Sequence, residues 1–124
     1  MENQLAQPRI LVRRIALIVL VVLSVIGVSV IGFHLIQTSD PYIREVLSLN
    51  GNPEQGYAMF EINCAGCHGL QADGRVGPSL QHVSNRKSKI GLIHQVTSGE
   101  TPPMPKFQPN AQEMADLLSY LEKL

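Results

Sequence analysis

The stretch Cys64-Ala65-Gly66-Cys67-His68 constrains this 124-residue chain more than any other. Two cysteines three positions apart lie on one face of a helical turn, and a histidine directly after the second sets its imidazole beside both sulfurs. Thiols so placed suit addition to the two vinyl groups of a haem as thioethers, with a nitrogen of His68 binding the iron. The small Ala65 and Gly66 let the backbone approach the porphyrin. Other uses of these residues fit less well. A thioredoxin-like dithiol needs a βαβ setting, and no strand pattern surrounds this segment. A zinc site needs another Cys or His pair at ligand spacing, whereas His82 and His94 are isolated. A disulfide between residues three apart closes too small a loop to stabilise much. The pattern therefore predicts one haem c, covalently bound through Cys64 and Cys67.

A second feature divides the chain. From Ile15 to Ile36 there is no Lys, Arg, Asp or Glu. At about 1.5 Å per residue such a run spans roughly 33 Å as a helix, enough to cross a bilayer core. His34 is its one titratable side chain and sits near the end, within reach of the interface. A cleavable signal peptide would have a shorter apolar core followed by a small-x-small site, and Val30-Ile31-Gly32-Phe33-His34 offers none. An uncleaved anchor is expected. Arg9, Arg13 and Arg14 precede the run, while Arg44 after it is accompanied by Asp40 and Glu45. The positive-inside rule then leaves residues 1–14 in the cytoplasm and sends the rest across the membrane, where covalent haem attachment belongs. Gly27, Ser29 and Gly32 would admit a second transmembrane helix at close range.

Beyond the anchor, residues 37–52 are expected to connect membrane and domain, with a short helix opened by Asp40 and Pro41 that sets Ile43, Val46 and Leu47 on one side. Residues 53–124 read as the domain. Asn52-Pro53-Glu54 starts a helix that runs through Gly56, Tyr57 and Phe60 into the cysteines. Gly56 costs about 1 kcal/mol in a helix relative to Ala, which predicts that another helix crosses it closely. The last helix is the expected partner: Asn110 and Glu113 form a capping-box pattern, and Met114, Leu117, Leu118 and Leu121 mark one face. Ser88 to Thr97 reads as a middle helix carrying Ile90, Ile93 and Val96. A domain this small needs a staple, which haem supplies; without haem it is expected to be largely unfolded.

The occupant of the second axial position on the iron separates electron transfer from ligand chemistry. Met59, Met104, Met114, His82 and His94 are the candidates. Met59 and Met114 lie on helices and read as core. Met104 sits in Thr101-Pro102-Pro103-Met104-Pro105, which can be neither helix nor central strand, and the prolines hold its thioether in place at little entropic cost. Met104 is therefore assigned as the distal ligand. A thioether favours ferrous iron, and filling both positions disfavours oxygen or peroxide activation. The proximal imidazole needs an acceptor for its other N–H. A carbonyl at Gly77-Pro78 could supply it, although those residues also make an ordinary turn.

Arg86, Lys87 and Lys89 form a small basic cluster, suited to haem propionates, to an acidic partner, or simply to water. From Ser48 onward six basic side chains face seven acidic ones. Neither strong electrostatic steering nor nucleic-acid binding follows from that balance.

With these residues in hand, the chain from about 53 to 124 resembles a class I cytochrome c, an all-α domain around one covalent haem, here preceded by a single N-terminal transmembrane helix. The resemblance rests on Gly56 and Phe60, on Cys64 to His68, on Gly77-Pro78, and on the Met104 loop before the final helix. It implies that the Pro78 carbonyl accepts from His68 and that the terminal helices cross. More narrowly, GRVGPSL and TPPMPKFQPN are similar to the short, membrane-anchored cyanobacterial cytochromes of the cM type. That likeness implies a thylakoid or plasma membrane, haem on the luminal or periplasmic side, and membrane redox complexes or small electron-transfer proteins of photosynthesis or respiration as partners. The chain lacks Trp, a usual propionate contact in many such cytochromes. The expected role is that of a tethered one-electron carrier, not an enzyme. The alternatives are a structural or regulatory haem subunit of a larger complex, and a haem sensor or peroxidase with an open distal site.

Overall fold

Asp40 opens the first helix of the domain by accepting the Tyr42 N–H at 2.9 Å, and the same device recurs at Asn52, Ser88 and Asn110. The computed structural model describes residues 3–38 and 40–124. Its helices are α1 (Asn3–Thr38), α2 (Pro41–Ser48), α3 (Pro53–Asn63), α4 (Ala65–His68), α5 (Lys89–Ser98) and α6 (Ala111–Leu121), with a 3-10 turn at Val83–Asn85. Among the described residues there is no strand. The chain divides into two compact units, residues 1–37 and residues 38–124.

α1 extends well past the apolar run on its N-terminal side and accommodates Pro8 in its second turn. Its segment Pro8–Ile36 is long and apolar enough to cross a membrane, and its Ile, Leu and Val side chains are exposed throughout. Ser24 and Ser29 donate their hydroxyls to the Leu20 and Val25 carbonyls, each at 2.8 Å. Both polar groups are thereby satisfied within the helix, as an apolar medium requires.

The second unit is built on the crossing of α3 and α6. Asn52 accepts the Glu54 N–H with Pro53 at the first helical position. Asn110 and Glu113 complete a reciprocal capping box, with bonds of 2.9 and 2.8 Å. α6 turns Met114, Leu117, Leu118 and Leu121 inward and meets Phe60 of α3, which is fully buried. A methyl group at Gly56 would strike the Asp116 carbonyl and lie 2.8 Å from Tyr120 Cβ, so the crossing needs hydrogen at that position. Ser88 caps α5, which adds Leu92, Ile93 and Val96 to the core.

Residues 37–52 do more than connect. Ile43 and Val46 of α2 are 2% and 1% exposed and pack in the same core, while Tyr42 donates its hydroxyl to the Pro109 carbonyl at 2.9 Å. Leu47, expected on the same side, points outward, because a helix of two turns offers the core only the i, i+3 pair. A buried carboxylate closes this corner: Asp116 accepts the Asn52 backbone N–H at 2.7 Å and the Gln112 amide at 2.9 Å.

Candidate haem site

α3 ends where the haem motif begins. The Cys64 N–H still bonds the Phe60 carbonyl at 2.8 Å, and the Cys64 carbonyl then accepts from both Cys67 (3.1 Å) and His68 (2.9 Å). One residue thus closes α3 and opens α4, and both thiols come onto a single turn. They are free, with Cys64 half-buried and Cys67 exposed. Burial first, and the neighbouring Cys67 second, push the Cys64 thiol up to about 11, the mark of apolar surroundings.

After Gly69 the chain doubles back over the end of α4. Gly74 donates to the His68 carbonyl and Gly77 to the Cys67 carbonyl, each at 2.7 Å, which satisfies two carbonyls the short helix would leave orphaned. This return brings Pro78 beside the imidazole. His68 Nδ1 lies 2.8 Å from the Pro78 carbonyl oxygen, and the ring is 8% exposed. Since a carbonyl only accepts, Nδ1 carries the proton and Nε2 is left unprotonated, able to bind a metal. A side chain at Gly77 would come within 2.7 Å of the ring at Cε1, so the strand of chain that covers the imidazole is glycine there.

Cys64, Cys67, His68 and Pro78 are therefore brought together as the sequence predicts. Met104 belongs to a separate loop. It is half-buried against the core, its N–H bonds the Thr101 carbonyl at 3.0 Å, and its sulfur lies 3.7 Å from the Gln95 amide nitrogen. The same Gln95 nitrogen also reaches the Thr101 hydroxyl at 3.1 Å, so one side chain of α5 touches the methionine loop at two residues. Among the other ligand candidates, Met114 is locked in the core and His82 is exposed in a left-handed conformation. Met59 is half-buried on α3. His94 is half-buried on α5, with Nε2 buried and unpartnered among the described residues.

The donor set fits a haem c. Two unpaired thiols one turn apart match two attachment points, and the protonated Nδ1 presents the opposite nitrogen to a metal. The competing chemistries lose their support. Among the described residues no three His, Cys, Asp or Glu side chains gather as a metal site, and no βαβ unit surrounds the cysteines.

The basic cluster separates in the fold. Lys89 pairs with Glu122 at 2.9 Å, an exposed bridge between α5 and α6 worth little energy. Arg86 bonds the Ser79 and Gln81 carbonyls, and Lys87 is exposed. Gln95 does not stand out in the sequence as part of the site, and Arg86 does so only as one of a basic cluster, because their partners are a distant sulfur and a backbone loop.

A single-turn dithiol with a carbonyl-oriented histidine, carried at the end of one of two crossing helices, defines a c-type cytochrome. Comparison with known proteins agrees. The family model described as cytochrome c oxidase, cbb3-type, subunit III matches residues 51–121. A cytochrome c-553-like protein of Synechocystis is 55% identical over 105 residues, covering 85% of this chain and 94% of its own length. Cytochrome c-550 of Bacillus subtilis is 28% identical, over 60% of this chain and 59% of its own. Cytochrome c-554(547) of Halothiobacillus neapolitanus is 29% identical, over 60% of this chain and 98% of its own. The chain belongs to the class I c-type cytochromes, binds haem c through Cys64 and Cys67, and is an electron carrier.

Proposed function

We propose that this cytochrome is a membrane-tethered one-electron carrier, with His68 and Met104 as the axial ligands of its haem. The observation that carries this reading is the 2.8 Å contact of His68 Nδ1 with the Pro78 carbonyl, which fixes tautomer and ring orientation and raises the basicity of Nε2. Bound haem supplies an iron that gains and loses one electron. Cys64, Cys67, His68 and Met104 would hold the haem, and with both His68 and Met104 bound the iron would offer no open position to peroxide or oxygen. Little rearrangement then accompanies a change of oxidation state, and no covalent substrate bond is made or broken, so the protein acts as a carrier and not as an enzyme.

In this proposal residues 15–36 lie in lipid with residues 1–14 in the cytoplasm, a direction favoured by Arg9, Arg13 and Arg14. The domain then faces the periplasm or thylakoid lumen. Its partners are membrane redox complexes or small electron-transfer proteins, reached at raised effective concentration because diffusion is confined to the membrane.

A redox titration of the haem-loaded protein beside Met104→Ala tests the ligand pair. The variant should have a substantially lower potential, and its ferrous form should bind carbon monoxide where the parent does not. An unchanged potential, or ready carbon monoxide binding by the parent, removes Met104 from the iron. The second reading, a subunit of a larger redox complex, is favoured by the oxidase-subunit description of the matching family and by Gly27, Ser29 and Gly32 in α1. Extraction in mild detergent separates the two, since a subunit co-purifies at fixed stoichiometry and a carrier emerges free.

A further inference from the structure

The hydrogen bond from His68 depends on where the Pro78 carbonyl points. Pro78, Ser79 and Leu80 lie in neither helix nor strand, so no repeating ladder fixes that direction. Two sets of contacts do. One ties the loop to the turn behind the cysteines: Leu80 N–H donates to the Ala72 carbonyl at 2.8 Å, and the Gln81 amide to the Gln71 carbonyl at 2.5 Å. The other is Arg86, whose Nη2 donates to the Ser79 carbonyl at 2.9 Å and to the Gln81 carbonyl at 3.1 Å. The guanidinium starts from fixed backbone. Arg86 follows the 3-10 turn, donates its own N–H to the Val83 carbonyl at 3.0 Å, and Val83 is 4% exposed.

This arginine commits one nitrogen to the backbone carbonyls on either side of Leu80, the first of which belongs to the residue directly after Pro78. A solvated surface cation has no need of such partners, and a planar guanidinium holds them in a set geometry that an ammonium does not. We propose that Arg86 is a positioning residue for the proximal histidine. By clamping residues 79–81 it keeps the Pro78 carbonyl on His68 Nδ1, and so sets the basicity of the nitrogen turned to the iron. The proposal rests on His68 being an iron ligand.

The test uses the full-length, haem-loaded protein in detergent, with Arg86→Met and Arg86→Lys. Two signals are read in the ferrous state: the solvent exchange rate of the His68 Nδ1 proton by NMR, and, with each Arg86 variant and the parent residue placed in a Met104→Ala background that admits carbon monoxide, the iron–histidine stretch after photolysis of that ligand. Arg86→Met should exchange this proton about tenfold faster, the size expected when one hydrogen bond is lost, and lower the stretching frequency. Arg86→Lys keeps the charge but not the planar fork, and should fall between Met and the parent. Amide exchange in α6 should stay the same in all three. A parental rate in either variant overturns the proposal, as does acceleration that extends to α6. Should the Met variant fail to take up haem, the Lys variant decides alone. If Met104→Ala with Arg86 intact lacks an iron–histidine stretch, the His68 assignment falls, a result distinct from any behaviour of the Arg86 variants.

Discussion

At the scale of single residues, the domain depends on side chains whose partners are remote in sequence. Asp116 is 8% exposed and accepts from a backbone N–H 64 positions away. Asp116→Ala leaves the Asn52 N–H unpaired, and unfolding by urea should show a loss of about 1–3 kcal/mol. Asp116→Asn, which keeps an acceptor oxygen, should lose less. Gly77→Ala sets a methyl group against the His68 ring. Overpacking of that kind costs about 1–3 kcal/mol, and here the visible spectrum should change along with the thermal midpoint, because the displaced ring is the one proposed to bind the iron. The five residues Cys64, Cys67, His68, Pro78 and Met104 can be picked out from the sequence because each carries local punctuation: a cysteine spacing, a Gly-Pro step, a run of prolines. Asp116 and Gln95 carry none, and Arg86 carries only its basic neighbours, which do not announce a backbone clamp. Their roles arise only when the fold delivers a backbone group or a sulfur to them.

At the scale of elements, helix starts are well marked in the sequence and helix faces less so. Asp40, Asn52, Ser88 and Asn110 all cap as their residue types predict, since a side-chain oxygen beside free N–H groups is a local matter. Asn110→Ala should lower stability by about 1 kcal/mol in a denaturant titration. The α3–α6 crossing is also foreshadowed, because a glycine inside an amphipathic helix is costly unless something presses on it. Gly56→Ala should destabilise by about 1–3 kcal/mol despite the better helix propensity of alanine, since the obstacle is a backbone carbonyl that cannot rotate away. The part played by α2 is harder to read. A two-turn helix beside an anchor looks like a connector until its partners on α6 are known, and Leu47 shows that its buried face is narrower than its apolar content. Ile43→Ala should cost about 2–5 kcal/mol, the penalty of a core residue; a loss near zero would return α2 to the role of a linker.

At the scale of the whole molecule, the protein joins two units with different solvents in mind. One displays aliphatic side chains along a helix, and the other hides them beneath polar caps. This division is legible in composition alone, because an uncharged run of such length has few other uses. The polar N-terminal turns of α1 are not, since helix continues there on propensity without any apolar pattern to announce it. Removing the haem should abolish cooperative unfolding and much of the far-ultraviolet helical signal from the domain, for a core of this size has little margin of its own.

The seating of α2 has a mechanical side. Tyr42 is bonded to Pro109, Ile43 is sunk in the core, and the Gln112 amide holds the Asn50 carbonyl at 3.0 Å. A pull on the chain at Thr38 is thus taken up by the last helix, which bears neither cysteine nor the proximal histidine.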